Sequence, residues 1–169
     1  MKALTGVDGA FLHMETPETP MHVGSLSRYD LPRGYRGDFA ADVRREIRRR
    51  LHTVPVFTRK LAPMPLQFAN PVWVEDDDID LDYHVQRAIL PSPGDQAALQ
   101  RTVSVLVGTP LDMDRPPWQM HLVETYGPGS ALICRVHHSL ADGVALVKVI
   151  LALAGAEAAD PPDPADPPP

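Results

Sequence analysis

A chain of 169 residues with 22 acidic and 16 basic side chains, a formal charge of −6, has room for one domain with a sizeable core and lacks the net positive charge that general nucleic-acid binding requires. No apolar run approaches the ~18 uncharged residues of a membrane-spanning helix; the longest, Val144 to Ala156, is interrupted by Lys148. The single cysteine, Cys134, excludes an intrachain disulfide and a CxxC metal signature, and reads as a small core residue.

The first twenty residues, with Asp8-Gly9 as a turn signal and Pro17 and Pro20 beyond it, predict an ordered arm of low secondary-structure content. Met1 to Asp8 has no charged region followed by an apolar one, so no secretory signal is read and a cytosolic origin is the expectation. Met21 to Tyr29 alternates, with Met21, Val23, Ser25, Ser27 and Tyr29 on one face and His22, Gly24, Leu26 and Arg28 on the other, which predicts a strand. His22 stands without a partner pattern and reads as structural. After a Pro- and Gly-containing loop, Asp38 caps a predicted helix in which Phe39, Ala40, Val43, Ile47 and Leu51 recur at helical spacing. Arg44, Arg45, Arg48 and Arg49 occupy its other side and read as a solvated face, with contact to anionic lipid or a phosphorylated cofactor as the alternative.

Gln67-Phe68 and Val72-Trp73-Val74 are predicted short strands. Glu75 to Asp78 with Asp80 reads as an acidic surface turn, because the glycine and terminal glutamate of a calcium loop are missing. Leu81 to Ala88 predicts a strand edge in which His84 is structural. Ser92 at a cap, Pro93 at the first helical position and Asp95 in the first turn predict a helix with Leu99, Val103 and Leu106 as its stripe, ending near Gly108 to Pro110. Trp118 to Tyr126 and Ser130 to Val136 then form a predicted hairpin across Gly127-Pro128-Gly129. Val144 to Ala154, free of Gly and Pro, predicts a helix, and Asp160 to Pro169 an extended Pro-rich linker.

His137-His138-Ser139-Leu140-Ala141-Asp142-Gly143 thus falls where a strand turns into a helix, a place from which scaffolds present side chains to a reactant. If the strand reaches His138, alternation sets His138 on the face of Leu132, Cys134 and Val136, and His137 on that of Ile133 and Arg135. The imidazoles then diverge, which disfavours chelation, and no third ligand lies at metal spacing. Cys134 and His138 would stand about 13 Å apart along a strand, too far for a nucleophilic pair. Ser139 is a poor nucleophile for its own neighbour. What remains is one imidazole acting as general base on a bound hydroxyl that attacks an activated acyl group; with an ordinary pKa of ~6.5, a histidine is largely neutral at cellular pH. Asp142 reads as fixing the turn through an arginine or backbone donors, and Gly143 as permitting a close approach or dihedral. From spacing alone, a satisfied histidine pair at a strand end stands beside this reading.

HHSLADG is the HHxxxDG motif of the chloramphenicol-acetyltransferase-like superfamily. With Asp8 to Leu12, Glu15, Pro20 to Gly24, Arg59-Lys60-Leu61, Asp82 to Val85 and Arg115 to Trp118, the chain up to Gly155 resembles the N-terminal half of the bacterial wax ester synthase/acyl-CoA:diacylglycerol acyltransferase family. The resemblance implies an α/β, chloramphenicol-acetyltransferase-like sandwich domain, a mixed sheet with packed helices, forming one half of a two-domain fold. It implies residues 1–156 as the N-terminal domain and 157–169 as an interdomain linker, with the second domain beyond the end of this chain. The implied activity is transfer of a fatty acyl group from acyl-CoA, as co-substrate, to diacylglycerol or a long-chain alcohol, giving triacylglycerol or wax ester. His138 is the implied base, His137 its orienting neighbour, Asp142 a structural member of the motif, Gly143 a supporting residue, and Met21 to Gly24 a buttress on the next strand. No bound cofactor, metal or nucleic acid is implied, and peripheral association with a membrane or lipid droplet is. The alternatives are a carrier-protein-dependent condensation-type acyltransferase and a non-catalytic lipid-surface module using the Arg44 to Arg50 helix.

Overall fold

Period-two alternation over the stretch from Trp118 to His137 builds the centre of the fold. The structure, a computed structural model, describes residues 2–4, 6–62, 71–126, 129–141 and 147. In chain order these form β1 (Lys2–Ala3), α1 (Gly6–Met14), β2 (His22–Tyr29), α2 (Phe39–Arg50), two 3-10 turns (Leu51–Thr53 and Pro55–Thr58), β3 (Arg59–Ala62), β4 (Val72–Glu75), α3 (Leu81–His84), β5 (Val85–Arg87), α4 (Gln96–Val107), β6 (Trp118–Tyr126) and β7 (Gly129–His137). The main sheet runs β2-β7-β6-β5 and a smaller one β1-β4-β3. β2, β7 and β6 are antiparallel neighbours while β5 joins β6 in parallel, so the main sheet is mixed, and helices pack on it in an α/β arrangement.

Alternation gives each face of the main sheet its own core. Val85, Trp118, Met120, Leu122, Cys134 and Val136 pack with Ala40 and Ile47 of α2 and with Phe57. The Trp118 ring is stacked on Phe57 at 4.5 Å and on His84 at 4.2 Å, and its Nε1–H donates to the Phe57 carbonyl at 2.9 Å. On the other face Val123, Ala131 and Ile133 meet Ala98 and Leu99 of α4. Burial of each such aliphatic side chain contributes about 1.5–3 kcal/mol.

α2 starts where the capping signal sets it, with Asp38 Oδ1 accepting from the Ala41 amide at 2.9 Å. Four of its five arginines are tied to acids: Arg45 to Asp42, Arg49 and Arg50 to Glu46, and Arg44 to Asp82 at 3.2 Å. The strand at Val72, the hairpin of β6 with β7, and the end of α4 lie as predicted.

Three elements differ from the sequence-based expectation. The N-terminal arm contains a helix, α1, running through the Asp8-Gly9 turn signal; Gly9 is buried, and contact of Phe11 with His138 outweighs the weak local propensity. Leu81–His84 is a helical turn rather than strand, because Asp80 Oδ1 accepts from the amides of Asp82 (3.0 Å) and Tyr83 (3.2 Å); strand geometry begins at Val85. α4 begins at Gln96, capped by Asp95 through the Ala98 amide at 2.8 Å, not at Pro93. The backbone cannot be helical across Gly94, whose φ of 75° is in the left-handed region. The predicted strand at Gln67-Phe68 and the linker from residue 157 lie outside the described residues, and of the helix predicted over Val144 to Ala154 only Val147 is described, as helical. Among the described residues no helix is long and apolar enough to cross a membrane.

Candidate active site

β7 delivers His137 as its last residue, and three backbone bonds fix the turn that follows. The His137 amide donates to the Pro117 carbonyl (2.9 Å), the His138 amide to the Met21 carbonyl (2.9 Å), and the Leu140 amide back to the His137 carbonyl (2.9 Å). The two imidazoles consequently have different surroundings.

His137 is fully buried. Its Nδ1 accepts from the Ser139 amide at 3.1 Å and lies 2.7 Å from Ser139 Oγ, while Nε2 stands 3.5 Å from Glu15 Oε2. Burial pushes its pKa below the ordinary histidine value, and the neighbouring His138 adds to this against the opposing pull of Glu15. His138 is half-buried, with its ring stacked on Phe11 of α1, centroids 4.6 Å apart and planes 15° apart. It is thus neither fully buried nor tied to an acid among the described residues.

Asp142 and Gly143, the remaining motif residues singled out in the sequence, lie outside the described residues. His22 sits on β2 directly across from His137 in the strand register, so the Met21 to Gly24 segment adjoins the site. Burial lowers the His22 pKa and the positive Arg135 lowers it further, against the opposing pull of Glu15 and of the Val107 backbone. Arg135 is buried without an ion pair among the described residues; its guanidinium donates to the Leu106 carbonyl, to the Thr109 carbonyl at 2.6 Å and to Gln119 Oε1 at 2.5 Å, which clasps the C-terminus of α4. His121, next along this face, is held to a pKa of about 4 by burial and by Arg135.

Other candidates fall away from the site. Cys134 faces the apolar core, and burial pushes its thiol up to about 12, so it supplies no thiolate near neutral pH. His84 bonds through Nδ1 to the Trp118 carbonyl at 2.8 Å within that core. An open groove of about 580 Å³ between α4 and β2 is lined by Leu26, Arg28, Leu99, Val103 and Tyr126 among others, but not by either motif histidine. Among the described residues no group of three or more His, Cys, Asp or Glu side chains is placed to hold a metal ion.

Local sequence pattern assigns no role in the site to Glu15, Phe11 or the Ser139 hydroxyl. Adjacency makes Ser139 a poor partner for His138, yet its side chain reaches back two residues to His137. Glu15 and Phe11 are brought in by α1, more than 120 residues away along the chain, and no local pattern signals that contact.

The profile of the wax ester synthase/diacylglycerol acyltransferase catalytic domain matches residues 4–169. A probable diacylglycerol O-acyltransferase of Mycobacterium tuberculosis is 38% identical over 143 residues, covering 84% of this chain and 32% of that protein. The wax ester synthase/diacylglycerol acyltransferase of Marinobacter aquaeolei VT8 superposes with a TM-score of 0.76 at 36% identity, covering 89% of this chain and 36% of that one. The first condensation domain of the calcium-dependent antibiotic synthetase superposes with a TM-score of 0.70 at 18% identity, a likeness of fold alone. The chain spans about a third of the length of the curated relatives it matches.

Proposed function

The chain belongs to the wax ester synthase/diacylglycerol acyltransferase family, and from that premise we propose that it supplies the histidine-bearing N-terminal half of an acyl-CoA-dependent O-acyltransferase. In this reading residues 1–156 are the N-terminal domain, 157–169 the connection to a second half, and catalysis requires both halves. The substrates are a fatty acyl-CoA and a hydroxyl acceptor, diacylglycerol or a long-chain alcohol. A half-buried His138 on a backbone-anchored turn is the observation that carries the proposal.

The chemistry needs one mobile proton. His138 takes it from the acceptor hydroxyl as the oxygen attacks the thioester carbonyl; the carbon–sulfur bond then breaks and the proton passes to the departing thiolate, leaving ester and free CoA thiol. Protons balance without exchange with solvent. His137, whose Nδ1 is occupied by Ser139, orients the turn rather than taking part.

Exposed apolar side chains on β2 and α4, including Leu26, Val105 and Val107, support a companion half in contact with this one. Peripheral association with a membrane or lipid droplet would bring the enzyme to water-insoluble acceptors. A purely lipid-binding role for α2 is less well supported, because three of its arginines are already paired with Asp42 and Glu46.

The test supplies the chain with a C-terminal half from the family and measures transfer from labelled acyl-CoA to diacylglycerol and to a long-chain alcohol. Ester synthesis by the wild-type pair and its loss in His138→Ala, with lipid binding retained, is the expected result. Unchanged synthesis in His138→Ala removes that imidazole from the reaction.

A further inference from the structure

Among the described residues His138 has no side-chain hydrogen bond that fixes it; its position depends on the backbone on either side, and a single acid reaches both supports. Glu15 follows α1 directly, its amide bonded to the Phe11 carbonyl at 3.1 Å. Its Oε1 accepts from the Met21 amide at 2.9 Å, and Met21 in turn accepts the His138 amide at 2.9 Å through its carbonyl. Its Oε2 stands 3.5 Å from His137 Nε2.

The protonation of His137 follows from its other nitrogen. Because the Ser139 amide donates to Nδ1, that atom carries a lone pair, and the neutral ring has its proton on Nε2, the atom turned toward Glu15. Among the described residues no other acid lies within ion-pair distance of this ring, and Nε2 has no hydrogen-bond partner of its own. At 3.5 Å the carboxylate acts by charge more than by a formed hydrogen bond. The other charged or titratable neighbours, His22 across the strand and His138 next in the chain, both disfavour a second proton on His137, and Glu15 opposes them.

We propose that Glu15 is a positioning residue for the transferase reaction, bracing the turn that carries His138 through the Met21 peptide on one side and the Nε2–H tautomer of His137 on the other. The inference rests on His138 being the base. Ser139, His137 and Glu15 also stand in the order of a hydrolytic triad, but Ser139 is only 4% exposed and its nearest acceptor is inside the turn, so the arrangement serves as a brace.

Glu15→Gln separates the two functions of the carboxylate while preserving shape. If its amide oxygen keeps the Met21 amide, its NH₂ faces Nε2, and His137 must move its proton to Nδ1 at the expense of the Ser139 contact. If the amide is turned the other way, the Met21 contact is lost instead. Acyl transfer by the full chain complemented with a family C-terminal half is to be measured together with 15N–1H spectra of the histidine rings. Glu15→Gln is expected to lower kcat on the order of tenfold, a part of the ~10²–10⁴ ascribed to general-base catalysis, with KM for acyl-CoA changed by less than about twofold. The wild-type spectrum should show His137 as the Nε2–H tautomer, and Glu15→Gln should shift it. A kcat within about twofold of wild type overturns the proposal. So does a wild-type His137 protonated on Nδ1, a measurement that stays decisive if the variant fails to fold. Full activity in His138→Ala would instead discard the general-base reading, while the spectra would still report whether Glu15 holds the turn.

Discussion

The two faces of the main sheet come from the same strands in alternate residues and bury different chemistry. Under α2 lie Val85, Trp118, Met120, Leu122, Cys134 and Val136, with aromatic rings stacked among them. Under α4 the positions between them carry Gln119, His121, Arg135 and His137, with His22 across from His137. Here His121 Nε2, Arg135 Nε and His137 Nε2 are buried without a hydrogen-bond partner among the described residues. Buried polar atoms of this kind lower stability unless something compensates. Both faces have an apolar core, but the α4 face adds buried polar groups to Val123, Ala131 and Ile133, using part of the stability beside the site. Substitutions on the α2 face should move the melting curve, and substitutions around the turn should move the rate.

The largest expected effect tests the second half of that contrast. His138 is half-buried with its ring on Phe11, so His138→Ala should leave the melting temperature near wild type while acyl transfer falls by roughly 10²–10⁴. A large fall in melting temperature would show that the ring is structural. Trp118→Ala is the counterpart on the apolar face. The ring is fully buried between Phe57 and His84, and its loss should lower unfolding free energy by about 3–5 kcal/mol in a denaturant titration. A loss of less than about 1 kcal/mol would mean that this stack is not the centre of the core.

How much of this contrast is legible in the sequence depends on the range over which it is built. Alternation along Ile133 to His137 is enough to assign each side chain to its face, and the hairpin and the Asp38 cap are equally local. The strand ends at His137, so alternation does not extend to His138, whose place is set by the turn. The bracing of the turn is not local. Glu15, Phe11 and Met21 reach it across the whole length of the domain, and the Asp8-Gly9 signal that hid α1 is overridden only by those tertiary contacts. The clasp of Arg135 on the end of α4 is likewise invisible until β7 and that helix are brought together.

The polar face should also make the domain acid-sensitive in a defined window. His121 titrates near 4 in the folded protein and at an ordinary 6.5 once unfolded. Between these values the unfolded chain binds more protons, so stability is complete above about pH 6.5, falls as the pH drops, and levels off near pH 4. His22, His84 and His137 are shifted in the same direction and add to the slope. Replacing His121 by Leu removes its share, at most about 2 kcal/mol at about pH 5, without removing a hydrogen bond from Nε2, which makes none among the described residues. Denaturant midpoints at about pH 7 and about pH 5 should converge in the variant. An undiminished difference would assign the acid sensitivity to other groups.

The smallest effect distinguishes the two ends of α4. At its C-terminus the buried Arg135 donates to the Leu106 and Thr109 carbonyls from inside the domain. At its N-terminus Asp95 caps the helix from an exposed position, accepting from the Ala98 amide. Asp95→Ala leaves the Ala98 amide without its cap acceptor and should reduce unfolding free energy by about 1 kcal/mol, and Asp95→Asn, which still caps, by less. Arg135→Leu leaves the buried Gln119 oxygen without this donor and releases the hold on both carbonyls, and should be several times more damaging. Equal losses at the two ends would mean that the buried clasp contributes no more than a surface cap, and that the polar face is supported by something other than the hold of Arg135 on α4.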